Sequence, residues 1–164
     1  MALEINKIHC GDCLELMPQI EDKSIDMILC DLPYGTTACA WDIIIPFEKL
    51  WKEYDRVLKD KGILVISIEH PFNDYNYFKS TKYFDVENVK CTWKGFGQPI
   101  EVNSFRRPLY ECITPLTDNG FYIDKLVEPK PTIEFERLDP RHFKELNEFP
   151  AFMCIRAVKR NDNE

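Results

Sequence analysis

Glycine is scarce in this chain, six residues in 164, and no Gly-x-Gly pattern stands at a strand-to-helix turn. Gly95-Phe96-Gly97 has the spacing but sits beside Trp93 and Pro99, without a strand-helix frame. The sequence therefore lacks the loop whose glycines let backbone approach a nucleotide cofactor and point a helix N-terminus at it. No apolar run nears the roughly 18 to 20 residues of a membrane span. The first residues, Met1-Ala2-Leu3-Glu4-Ile5-Asn6-Lys7, have no basic and apolar regions of the signal-peptide kind. A cytoplasmic chain without membrane contact is expected. Positive charge is in deficit, 21 Lys and Arg against 28 Asp and Glu for a net charge of −7. That balance disfavours non-specific attraction to phosphate backbones, so any DNA contact needs a local basic patch.

Cysteine is present, yet not in disulfide-like numbers. The seven are an odd count spread along the chain, mostly inside apolar stretches, which suits buried thiols in a reducing compartment. Cys10 and Cys13 form a Cys-x-x-Cys pair beside His9, but no second ligand pair stands at zinc spacing. Hydrophobic residues at 45% and charged residues at 30% predict a folded globular chain, a single domain over residues 1–164.

The recurring pattern is a helix, a glycine and an apolar strand. Phe47, Leu50, Trp51, Tyr54, Val57 and Leu58 follow helical spacing, Pro46 suits the first turn and Gly62 the stop, and 63–68 follows as a strand apolar enough to be covered on both faces. A second copy begins at Pro108, places Leu109, Cys112, Ile113 and Leu116 on one face, and ends at Asn119-Gly120 before a strand over 121–127. Pro115 predicts a kink or an early end there. Upstream, 5–10 reads as a strand, and Asp12 and Glu15 as a capping box for a helix that Pro18 shortens. A short apolar strand over 26–30 ends at Asp31. Asp139-Pro140 opens a helix, and 152–158 is the last strand. This order predicts an α/β sheet with crossover helices, whose ligands sit beyond the carboxyl ends of its strands.

Asp31-Leu32-Pro33-Tyr34-Gly35 falls at such an end. An exocyclic amine on adenine or cytosine is a poor nucleophile because its lone pair is delocalised into the ring. A carboxylate and a backbone carbonyl accepting its two N–H bonds push the nitrogen towards a reactive form. Asp31 and the Leu32 carbonyl are candidates for that work, with Pro33 stiffening the turn and Tyr34 stacking on an extruded base.

Asp31-Leu32-Pro33-Tyr34 resembles the Asp-Pro-Pro-Tyr motif of the amino-group (adenine-N6 and cytosine-N4) DNA methyltransferases. Ile8-His9-Cys10-Gly11-Asp12-Cys13-Leu14-Glu15, Ser24-Ile25-Asp26, Gly35-Thr36-Thr37 with Trp41-Asp42, and Ile45-Pro46-Phe47 through Trp51-Lys52 extend the resemblance to phage-type members over roughly the first 66 residues. The remainder is similar to the C-terminal half of bacterial class I small-molecule methyltransferases. Its carriers are Glu69-His70-Pro71-Phe72, Trp93-Lys94-Gly95-Phe96-Gly97, Phe105-Arg106-Arg107-Pro108-Leu109, Gly120-Phe121, Glu128-Pro129-Lys130-Pro131 and Phe149-Pro150-Ala151-Phe152. The chain thus resembles a chimera with a seam near 63–68, the strand that both families possess.

The resemblance implies an α/β, Rossmann-like class I methyltransferase sheet, mostly parallel with an antiparallel C-terminal strand and lacking the first strands and the Gly-rich cofactor loop, and S-adenosylmethionine as methyl donor. It implies Asp31, Leu32, Pro33 and Tyr34 as catalytic residues, Asp12, Cys13 and Asp31 near the cofactor, and Tyr34, Gly35, Trp41, His70 and Arg106 at the substrate. Either DNA or a small metabolite is the implied acceptor. Both families place the Gly-rich cofactor loop in the half this chain does not resemble. A remnant without activity, or a half-protein completed by a partner chain or a second copy, is the remaining expectation. Each site residue also has a structural reading: Asp12 as a helix N-cap, His70 as a hydrogen-bonding residue, Arg106 with Arg107 as a solvated loop, and Trp51 as core.

Overall fold

The computed structural model describes residues 3–32, 45–79, 82–93 and 99–161. The first element is a short helix, α1 (Cys13–Leu16), continued by a 3-10 turn (Met17–Gln19) as Pro18 dictates. Strand β1 (Ile25–Cys30) follows, then helix α2 (Phe47–Val57), strand β2 (Leu58–Glu69) and helix α3 (Pro71–Tyr77). A hairpin of β3 (Glu87–Trp93) and β4 (Ile100–Arg106) comes next, and helix α4 (Leu109–Asp118) leads into β5 (Phe121–Val127). Helices α5 (Ile133–Leu138) and α6 (Pro140–Glu148) precede the final strand, β6 (Phe152–Lys159).

The main sheet has the order β1-β2-β6-β5, while β3 and β4 form a separate two-stranded sheet. Strands β1 and β2 are parallel, and β6 runs antiparallel to both β2 and β5. The carboxyl ends of β1, β2 and β5 therefore lie along one edge. This is the mixed Rossmann-like sheet that the resemblance implies, with its antiparallel strand inserted between β2 and β5.

Register decides which side chains form the core. Leu64 lies opposite Ala157, Ile66 opposite Ile155 and Ile68 opposite Met153, and Ile28 and Cys30 of β1 join the same rows. The period-2 geometry of strands puts these residues on one face, where Leu50, Tyr54 and Val57 of α2 and Leu116 of α4 cover them. Trp51 packs against Tyr54 at 5.7 Å and Phe121 at 6.1 Å between ring centroids, so its place is at the core.

The opposite face differs from the expectation of two covered faces. Met27, Leu29, Tyr122 and Phe152 are all exposed there, and no residue of α5 or α6 is buried. A wholly apolar strand does not by itself fix how many faces are covered. The segment 5–10 also departs from expectation: it forms no strand, and Ile5 and Ile8 are exposed. A strand needs a ladder partner, and among the described residues β1 pairs on one side only, with β2.

Gly62 has a different task from stopping α2. The helix ends at Val57, and residues 59–62 loop out of β2 between the pairs Ile25–Leu58 and Met27–Ile63. A Cβ on Gly62 would meet the Lys59 carbonyl at 2.7 Å, so close approach of backbone fixes glycine there. Helix α4 runs on through Pro115 without an early end, although the ring removes one backbone donor. Gly120 follows at φ 82°, the left-handed conformation that glycine adopts freely.

Lys159 is buried, and its ammonium donates to the Asp55 and Leu58 carbonyls and pairs with the Asp55 carboxylate at 2.9 Å. It thereby bolts the end of β6 to the carboxyl terminus of α2, where unpaired carbonyls and the helix dipole favour a cation. Lys159→Met is expected to cost roughly 1–3 kcal/mol through the carbonyls left without donors, read as a lower urea midpoint at unchanged slope. Among the described residues no helix is long and apolar enough to cross a membrane.

Candidate active site

A cavity of about 380 Å³ opens beside the carboxyl ends of β1 and β2. Leu32 enters it from the end of β1, Ser67 and Glu69 from β2, and Asp74 from α3. Phe47, Trp51 and Tyr54 wall it from α2, and Glu111, Cys112 and Leu116 from α4. Phe105 and Arg107, flanking the end of β4, complete the rim.

Local sequence explains why Asp74 arrives there. His70 ends the strand, Pro71 supplies the pre-set φ of a first helical turn, and the Asp74 amide donates to the His70 carbonyl at 3.2 Å. The first turn of α3 thus folds back over the strand ends with Asp74 only 8% exposed. Burial, then the neighbouring Glu69 carboxylate, push the Asp74 carboxyl up to about 7, against smaller opposing pulls from an Asn73 hydrogen bond and the Arg106 charge. The cavity walls push Glu69 up as well, although that residue keeps one side in solvent. Desolvation of this kind marks Asp74 as a carboxyl that can exchange protons near neutral pH.

The thiols are quiet. Burial raises Cys30 and Cys13, and it pushes Cys112 up to about 11, which disfavours the nucleophilic thiolate. The five cysteines described by side chain are free, and no group of three or more metal-ligating residues occurs among the described residues. Tyr54 is raised too, first by burial and then by Cys30, to which it is hydrogen-bonded.

The residues expected from sequence are only partly gathered. Asp31 stands exposed just past β1, and Leu32 beside it lines the cavity. Pro33, Tyr34, Gly35 and Trp41 lie outside the described residues. Asp12 is the N-cap of α1, accepting from the Leu14 amide at 2.8 Å, and Cys13 is the first residue of that helix. Neither lines the cavity.

His70 needs correction as a substrate residue. Its Nδ1 accepts from the Phe72 amide at 3.1 Å while Nε2 faces the Glu128 carboxylate at 3.0 Å. An Nδ1 that accepts fixes the proton on Nε2, so both ring nitrogens are committed to capping α3 and bridging the ends of β2 and β5.

Arg106 needs the same correction. It is fully buried, with Nε donating to Glu87 at 3.0 Å, Nη1 to the Tyr83 carbonyl at 2.9 Å, and Nη2 to the Lys82 carbonyl at 2.9 Å and the Asp85 carbonyl. A guanidinium so engaged has no fork to offer an anion. Its neighbour Arg107 is the one at the cavity rim. Sequence reasoning weighed Arg107 beside Arg106 but did not single out the cavity-lining Asp74 and Glu111; for Asp74 the available signal was Pro71 opening a helix directly after a strand end.

No family model matches the chain. Among curated proteins it is 34% identical over 79 residues to the type II methyltransferase M1.MboII of Moraxella bovis, a match covering 43% of this chain and 30% of that protein. Among solved structures it superposes on a protein from Listeria monocytogenes assigned to the S-adenosylmethionine-dependent methyltransferases, at TM-score 0.56 and 22% identity over 87% of this chain and 64% of that one. An S-adenosylmethionine-dependent methyltransferase of Mesorhizobium loti gives TM-score 0.52 and 17% identity over 96% and 67%. One from Methanosarcina mazei gives 0.53 and 16% over 87% and 63%. The chain spans less than a third of the curated relative and about two thirds of these structures. It has the Rossmann-like fold of the S-adenosylmethionine-dependent methyltransferases and a partial sequence match to a type II methyltransferase, the two halves of the resemblance drawn from its motifs.

Proposed function

We propose that this chain carries the acceptor side of an S-adenosylmethionine-dependent methyltransferase for amino nitrogens, with the exocyclic amine of a DNA adenine or cytosine as first acceptor. The observation that carries the reading is the position of Asp31-Leu32 at the carboxyl end of a parallel strand, with Leu32 lining the cavity. The match to a type II methyltransferase supports the DNA acceptor. In this reading the Asp31 carboxylate and the Leu32 carbonyl take the two N–H bonds of the amine and raise electron density on nitrogen, while Pro33 and Tyr34 hold the base. Tyr34, Gly35 and Trp41 are the further candidates for acceptor contact.

When bound, S-adenosylmethionine supplies an electrophilic methyl group, with Asp31 at the end of β1 as the first candidate for contact with it; the chain's own groups orient the nucleophile and keep water out. Asp12 and Cys13 are the further candidates for cofactor contact. The one-sided pairing of β1, with Met27 and Leu29 exposed, supports completion of the sheet by another segment, a partner chain or a second copy.

Calorimetric titration with S-adenosylmethionine, and with its demethylated product, tests the reading. Micromolar binding, followed by methylation of unmethylated DNA that Asp31→Ala abolishes, is the expected result. Absence of heat and of thermal stabilisation at millimolar ligand overturns it for the isolated chain. A second reading, a small metabolite as acceptor, is favoured by the cavity's lining, which among the described residues sets three acidic side chains against one guanidinium, a balance that disfavours phosphate-bearing ligands.

A further inference from the structure

The cavity at the ends of β1 and β2 holds more information than a methyl-transfer fold requires. Among the described residues its charged lining is Glu69, Asp74 and Glu111 against Arg107, and the nearby Arg106 is fully used by Glu87 and three carbonyls. Its apolar lining is aromatic on the α2 side, with Trp51 and Tyr54 within the core and Phe47 half-exposed at the mouth. Carboxylates and ring faces together select a cation with a hydrocarbon body.

We propose that this cavity binds a small primary or secondary amine as its ammonium form, the nitrogen between Glu69 and Asp74 and the carbon skeleton against Trp51 and Tyr54. Asp74 is the key group because it is nearly buried and faces Glu69 from β2, Glu111 and Cys112 from α4, and the charges of Arg106 and Arg107 beside β4. An ionised carboxylate so placed is costly until a counter-ion arrives. The ligand's ammonium is that counter-ion.

The inference names the acceptor class of the small-molecule reading and rests on it for catalysis, although binding itself does not. For transfer, the ammonium N–H bond breaks as its proton passes to an Asp74 carboxylate oxygen, leaving a lone pair on nitrogen. The N–CH₃ bond then forms as the donor's S–CH₃ bond breaks, so a neutral thioether leaves and the positive charge moves to the methylated nitrogen. The acid Asp74 returns its proton to solvent.

Titration of the full chain at pH 8, without methyl donor, compares phenethylamine with two probes of the same shape, 2-phenylethanol and 3-phenylpropionate. The amine is expected to bind at least roughly ten-fold more tightly than the alcohol, and the carboxylate more weakly than either. Glu69→Gln and Asp74→Asn, each checked for folding by its thermal transition, should each lose most of that preference. Near pH 7 amine binding should release protons, read from heats in two buffers of different ionisation enthalpy, and Asp74→Asn should abolish the release. Equal binding of amine and alcohol, tighter binding of phenylpropionate, or no binding of any probe overturns the proposal. Amine selectivity without a response to S-adenosylmethionine leaves the amine site standing and removes the methyl-transfer reading; the reverse pattern removes only the amine.

Discussion

Asp74→Asn is expected to make the folded chain more resistant to urea at pH 8, by roughly 4 kcal/mol, and to leave it unchanged near pH 4. The Asp74 carboxyl moves from an ordinary 3.8 to about 7 on folding, mainly through burial. Between those values the native chain holds a proton that the unfolded chain has released, so stability falls as pH rises. The contribution is complete below about 3.8 and lost as pH passes about 7. Asparagine keeps the shape and removes this titration, so the difference in stability between the two proteins should grow across this window and level off above it. Urea midpoints at half-unit pH steps decide the matter. Parallel pH profiles for the two proteins would place the titration elsewhere. The sign is unusual for an aspartate, since most gain stability from charge on folding, and it places the cost of the site on the fold itself.

Arg106→Met should cost about 3–5 kcal/mol, the usual penalty for removing one member of a buried charged network. The guanidinium is wholly buried and ties the turn over 82–85 to the end of β4 through three carbonyls and the Glu87 carboxylate. Its carbon Cζ also lies 5.9 Å from the Tyr75 ring centroid. Tyr83, within that turn, accepts the Leu109 amide on its hydroxyl at 3.0 Å and so steadies the start of α4. Methionine fills the volume and leaves every acceptor orphaned. Lysine should recover little, because a single ammonium cannot replace a planar fork. Guanidinium unfolding measures the loss, and hydrogen exchange should be fastest in β3, β4 and the first turn of α4. A loss under about 1 kcal/mol would mean that the turn finds other donors.

Much of the fold could be read from residue order because its signals are local. The spacing of Phe47, Leu50, Tyr54 and Val57 gives α2, the start of β5 follows from Asn119-Gly120, and Asp139 caps α6 by accepting from the His142 amide. The strand over 5–10 failed because Ile5, Ile8 and their neighbours have strand-like patterning but no partner ladder among the described residues. The hairpin β3–β4 and helix α3 were missed, since 71–106 offers short, mixed polar stretches without a clear period. For the cavity, the motif reached Leu32 at its edge, whereas the place of Asp74 and Arg107 depends on how α3 and β4 fold back over the strand ends. Arg106 and His70 show the reverse failure: functional residue types that packing has turned into a clamp and a cap. Charge adjacency in sequence could not tell Arg106 from Arg107, yet one is sealed in and the other lines the cavity.

Strand β6 occupies the interior of the main sheet, between β2 and β5, and supplies Met153, Ile155 and Ala157 to the core. The two strands that flank it do not touch each other along their ladders, so the sheet has no continuous hydrogen-bonded surface until residues 152–159 are in place. A chain emerging from the ribosome would carry β2 and β5 with an open seam until almost all of these residues had been made. Contacts across such sequence distances close slowly and leave apolar edges exposed meanwhile. The vulnerable interval in the folding of this sheet therefore runs from the emergence of β5 to the arrival of β6, and that is when chaperones should hold it.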